Sequence, residues 1–199
     1  MADKAKKEEL KANLEQSENM ANPEKMITAI ISLKDTLDNK DYDVAKNQKE
    51  SMVRAYHLLA LLGLVTGRRF AELVKTFTPS KNRAGIKFDG LLKGNSEAIE
   101  GHIIGLEYKE MTKYLKELRS IVDATDLSVS EINAKYAKVF NLALKRLGYE
   151  NVKSLRTNYS VAGSQLFKRD NEDMKDTITR ILGHKEHLAS SLNYTNLPS

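Results

Sequence analysis

For most of its length this chain places apolar residues at helical spacing, and it departs from that spacing once. Met26, Ile27, Ile30, Ile31 and Leu37 form one stripe, with Asn22 set to cap the helix and Pro23 at its first position. After a polar break at 38–43, a second helix is predicted over 44–65 from Met52, Val53, Tyr56, Leu59 and Leu62. Its second half, 57–65, is almost wholly apolar, so that end should be deeply buried, with His57 at the core edge. Between 85 and 106 the helical stripe disappears. Residues 86–88 and 102–104 read there as short strands around a glycine-rich connection at Gly90, Gly94 and Gly101. Helical spacing then returns at 109–122 and 129–147, the latter opened by a Ser128/Glu131 capping box and closed by Gly148. Further helices are predicted over 151–167, 171–182 (acids Glu172 and Asp173 in its first turn) and 185–193. The fold class is mainly α with a small antiparallel β-sheet. Residues 1–24 form a charged N-terminal extension, and 25–199 form the working domain.

Composition narrows the chemistry. At 199 residues the chain can bury a proper core, and 41% hydrophobic with 30% charged residues describes an ordinary globular protein. There are no cysteines, hence no disulfides, thiolate metal sites or cysteine nucleophiles. No apolar run approaches the ~18 residues of a membrane span, and the N-terminus lacks a secretory h-region. A cytoplasmic protein that does not engage membranes is expected. Residues 1–50 carry 9 Lys and no Arg against 11 acids, a net of −2. The remainder carries 23 basic against 16 acidic residues, a net of +7, which favours a polyanionic partner.

Several polar positions stand out against this framework. The buried second helix delivers Thr66-Gly67-Arg68-Arg69-Phe70-Ala71-Glu72-Leu73, where Gly67 permits an abrupt turn before a new helix. Arg69 either pairs with Glu72 at i+3 or offers its fork of donors to a phosphate. Lys93 falls near the turn of the small sheet. Lys153 and Arg156, at i and i+3, share the first turn of their helix, an arrangement that an anion between them would stabilise and that free backbone amides would assist. Near the C-terminus, Leu182-Gly183-His184 ends one helix and Tyr194 follows about three helical turns later.

In this order, the Thr66–Leu73 run, Lys93 at a β-turn, Leu155-Arg156, Leu182-Gly183-His184 and Tyr194 resemble the signature of the tyrosine recombinase catalytic domain. That superfamily includes phage integrases and telomere resolvases, and type IB topoisomerases share its chemistry. The resemblance covers about residues 25–194. Integrases usually carry histidine where Lys153 stands. Lysine there, Tyr159 three after Arg156, Thr66-Gly67-Arg68-Arg69 and Phe88-Asp89-Gly90-Leu91-Leu92-Lys93 are more similar to the telomere resolvases (protelomerases).

The resemblance implies attack by Tyr194 on a DNA phosphodiester, leaving a 3′-phosphotyrosine and a free 5′-hydroxyl. Arg69 and Arg156 would clamp the non-bridging oxygens, His184 would donate to one of them, Lys153 would sit alongside, and Lys93 would protonate the leaving oxygen. Arg68, Lys87, Lys168 and Arg169 are expected as DNA-backbone contacts. No metal or other cofactor is implied. The partner is double-stranded DNA, bound as a dimer or higher oligomer. Relatives usually place a helical domain ahead of this one, so the chain is expected to be a short enzyme or an excised catalytic domain, cleaving poorly alone. Two alternatives stay open: a site-specific recombinase or integrase, and a non-catalytic DNA-binding helical domain.

Overall fold

The computed structural model describes residues 22–92 and 97–184. Most of the predicted extension (residues 1–21), Lys93, and the final predicted helix with Tyr194 lie outside the described residues. Among the described residues, six α-helices, one π-helical turn and three strands follow in order: α1 Pro23–Asn39, α2 Glu50–Thr66, the π-turn Glu72–Thr76, β1 Thr78–Asn82, β2 Gly85–Asp89, β3 Ile99–Glu100, α3 Tyr108–Ile121, α4 Val129–Arg146, α5 Val152–Leu166 and α6 Met174–Leu182. This is the mainly helical architecture with a small antiparallel sheet that the hydrophobic pattern predicts. No described helix is long and apolar enough to cross a membrane.

Helix α2 is the axis. From Ala55 to Thr66 every residue is buried, as its apolar run requires, and α1, α3, α4 and α5 pack around it. Its N-terminus falls at Glu50 and not at 44. The preceding Asp- and Asn-containing stretch turns instead, with Lys40 in the left-handed region and Gln48 N–H donating to the Ala45 carbonyl at 2.8 Å. Asn22 caps α1 through its side chain, Ser128 and Glu131 form their capping box on α4, and His57 is buried with Nδ1 on the Val53 carbonyl at 2.9 Å.

The sheet differs from expectation in two strands. Its order is β1-β2-β3, with Thr78 opposite Asp89 and Lys87 opposite Glu100. β1 reads Thr-Pro-Ser-Lys-Asn, too polar to signal a strand, and as an edge strand it tolerates Pro79. Residues 102–104 are not a strand: pairing ends at β3, Gly101 N–H donates to Ile86, and Ile104 N–H crosses to the Val65 carbonyl at 3.1 Å. Ile104 is apolar because it packs on the core. Helix α6 begins at Met174, not 171, because the Asp173 carboxylate takes the cap by accepting from Asp176 N–H at 2.7 Å.

Candidate active site

Helix α2 ends in a turn that only glycine can make. Gly67 has φ +62°, and a Cβ there would stand 2.1 Å from Cδ1 of the buried Tyr159 ring. Tyr159 holds that position by donating its hydroxyl to the His102 carbonyl at 3.0 Å, and burial pushes its phenol up to about 12. Two arginines leave this turn in different directions.

Arg69 lies at the edge, its side chain 27% exposed, and is fixed by Glu72. The Glu72 carboxylate is 0% exposed, with Oε1 accepting from Arg69 Nη1 at 2.7 Å and from Leu92 N–H at 3.1 Å, and Oε2 accepting from Arg69 N–H at 2.9 Å. Burial alone would raise this carboxyl, but Arg68, the Arg69 amide and the Arg69 and Arg156 guanidiniums outweigh it and hold it below the usual range. The sequence offered Arg69 either a glutamate partner or a place at the site. It has the glutamate partner, and that glutamate stands among the other cations.

Arg156 comes from the first turns of α5 and is buried (4% exposed). Nη1 donates to the Gly67 carbonyl, while Nη2 lies 3.4 Å from the Leu182 carbonyl and 3.1 Å from His184 Nε2. Lys153, on the same helical end, is exposed. The α5 terminus is not the open amide site expected from sequence: Asn151 Oδ1 accepts from Lys153 N–H and Ser154 N–H, and Val152 N–H is taken by Asn141.

His184 follows the left-handed Gly183 (φ +70°), its own N–H closing on the Thr179 carbonyl at 2.9 Å. The ring is 8% exposed. Burial first, then the charges of Arg156, Arg69 and Arg68, hold it down to about 4, so it is neutral at pH 7. Because an arginine can only donate, Nε2 accepts from Arg156 and the imidazole proton is assigned to Nδ1.

Arg68 corrects its expected role. It is 2% exposed, its Nε donating to the Thr66 carbonyl at 3.0 Å, Nη2 to Ile181 at 2.9 Å and Nη1 to Leu182 at 3.5 Å. Its guanidinium lies 5.4 Å from the Phe88 ring centroid, and burial lowers its pKa. A side chain so enclosed, with its donors on backbone carbonyls, is an internal clasp and not a DNA-backbone contact. Lys87 and Lys168 are exposed, whereas Arg169 pairs with Glu100 beside a further network. There Arg180 spans both oxygens of Glu172 at 2.7 Å and reaches the Phe167 carbonyl and His102. Sequence reasoning gave Arg180 no role, since Glu172, eight residues earlier, lies beyond the helical pair spacings.

The structure thus gathers Arg68, Arg69, Arg156, His184 and Glu72 at the meeting of the α2 and α6 ends. Among the described residues, three guanidinium groups stand around one carboxylate here, a cationic cluster of the kind that suits a phosphate diester. Tyr194 and Lys93 lie outside the described residues.

A family model described as the telomere resolvase ResT/TelK catalytic domain matches residues 22–196. Among solved structures, a variant of protelomerase TelA covalently complexed with substrate DNA matches with a TM-score of 0.65 and 17% identity, covering 100% of this chain and 66% of that one. A TelA variant complexed with a DNA hairpin product matches with a TM-score of 0.63 and 16% identity, covering 100% and 66% respectively. The chain therefore spans about 66% of the length of these structures. No curated protein matches it.

Proposed function

Because the chain belongs to the ResT/TelK telomere resolvase catalytic-domain family, we propose that it breaks and rejoins duplex DNA through a 3′-phosphotyrosine and closes the ends as hairpins. The observation that supports this most is that Arg156 lies against His184 and Arg69 within electrostatic range of it, from three separate stretches of sequence. The Tyr194 phenol gives up its proton to solvent as its oxygen attacks the phosphorus, the P–O5′ bond breaks, and Lys93 passes a proton to the departing O5′. Arg69 and Arg156 draw charge from the non-bridging oxygens, where it accumulates in the transition state. Neutral His184 would serve as a hydrogen-bond donor, not as a cation, and Lys153, exposed on the helical end that carries Arg156, would sit alongside. In the second step the 5′-hydroxyl of the opposite strand gives its proton to the Lys93 amine and attacks the phosphotyrosine, the P–O bond to tyrosine breaks, and the phenol regains a proton from solvent. The phosphoester energy is conserved, so no nucleotide is consumed.

A palindromic site has two-fold symmetry, and a pair of subunits related by the same axis would cut its two strands. Lys87, Lys168 and Arg169 would hold the backbone by charge, so binding should weaken with salt. The test is a nicked palindromic duplex that traps the covalent intermediate, resolved on a denaturing gel beside an intact palindrome. The proposal expects an adduct and snap-back hairpins, both abolished by Tyr194→Phe. Strand exchange between two duplexes would identify an integrase, and an absence of any adduct would leave only a DNA-binding helical domain.

A further inference from the structure

Helices α2 and α6 end within reach of one another, and each end carries part of the site: Gly67–Arg69 after α2, Gly183-His184 after α6. A helix C-terminus leaves carbonyls without intrahelical partners and concentrates partial negative charge. At α6 those of Ile181 and Leu182 are taken by Arg68, which arrives from the other turn. Its Nε meanwhile holds the Thr66 carbonyl of its own turn. One guanidinium therefore spans the two helix ends, and the Phe88 ring beneath it ties in β2.

On the proposed function stated above, we infer that Arg68 is a positioning residue for DNA cleavage: it sets the His184 turn against the Arg69 turn while touching no DNA. An apolar side chain could fill this space without burying a charge, which is unfavourable unless compensated. A planar fork, by contrast, meets carbonyls of both helix ends at once and fixes their distance. Its charge also adds to those of Arg156 and Arg69 in keeping the His184 ring neutral.

The test compares wild type, Arg68→Met and Arg68→Lys in the full chain. Adduct formation is timed on a nicked palindromic duplex, binding is measured against salt, and the His184 ring is followed by NMR without DNA. Arg68→Met should bind with the wild-type salt slope yet form adduct about 100-fold more slowly, as expected when a catalytic group shifts by about an ångström. Its His184 titration should move up toward the ordinary histidine value. A Met variant that cleaves at the wild-type rate overturns the inference. So does one whose salt slope falls by about one, the mark of a lost phosphate contact. If the Met variant does not fold, Arg68→Lys decides: one ammonium lacks the fork, so slower cleavage by a folded protein supports the inference and an unchanged rate overturns it. If wild type itself forms no adduct, the proposed function fails and the inference falls with it, whereas a wild type that cleaves beside an equally fast Arg68→Met overturns the inference alone.

Discussion

Replacing Glu72 by alanine removes the acceptor of three donors at once: the Arg69 amide, the Arg69 guanidinium and the Leu92 amide. It also leaves Arg68, Arg69 and Arg156 facing one another without their carboxylate. Breaking a buried ion pair from one side costs about 3–5 kcal/mol, and the lower end applies because the Arg69 side chain keeps 27% of its exposure and can be resolvated. For a chain of this size, about 3 kcal/mol corresponds to a fall in melting temperature of roughly 6–12 °C. Glu72→Gln preserves the volume and one acceptor oxygen but turns an NH2 toward groups that only donate, so a smaller loss of about 1–2 kcal/mol is expected. The pH dependence gives a second reading. The folded carboxyl lies below its ordinary value near 4.5, so its contribution is present above that pH and disappears as pH falls through the folded value. The gap between wild type and Glu72→Gln, followed by circular dichroism melting, should therefore be full at pH 7 and close on acidification. If Glu72→Ala melts with wild type at pH 7, or the gap persists undiminished in acid, the electrostatic account of this pocket is wrong.

Gly67→Ala should destabilise by about 3 kcal/mol or more in denaturant titrations, since its Cβ would meet the Tyr159 ring at 2.1 Å in a left-handed backbone. His184, held down to about 4 from an unfolded value near 6.5, makes a contribution that is complete above pH 6.5 and is lost as pH falls from there to about 4. Unfolding scans of wild type should lose stability across that window, and His184→Asn should remove this component. Lys93→Ala should cleave ordinary DNA slowly but recover on a duplex with sulfur in place of the bridging 5′-oxygen, because a thiolate departs without a proton. Failure of that rescue in a gel time course would remove Lys93 as the general acid.

The hydrophobic stripes placed α1, α3 and α4 closely, because those helices bury one face and expose the other, and α5 was placed as closely although it is buried all round over 158–164. They placed the start of α2 too early, because spacing alone cannot weigh turn-forming Asp and Asn residues against the apolar positions beyond them. The strand over Thr78–Asn82 was not legible, since an exposed edge strand needs no alternation of apolar side chains. At the site, the ordered motifs pointed to Arg69, Arg156 and His184, of which Arg156 lies against His184 and Arg69 within electrostatic range of it. The motif separated Arg69 from its neighbour, but it did not show that Arg68 is enclosed. Which of Arg68 and Arg69 turns inward depends on the end of α6, more than a hundred residues away, and no local pattern records it. The same holds for Glu72, legible as a partner of Arg69 at i+3 but not as the carboxylate set among three arginines.

One consequence follows from Arg156, which binds the carbonyl of Gly67 and lies against that of Leu182 while facing His184. The group proposed to receive the scissile phosphate is also a crossbeam between the last turns of two helices. Docking of the polyanion at that point would therefore stiffen the scaffold as well as fill the pocket, so that rigidity and occupancy rise together. With no polyanion bound, Arg156 and Arg68 already hold that joint together through the carbonyls of the two helix ends.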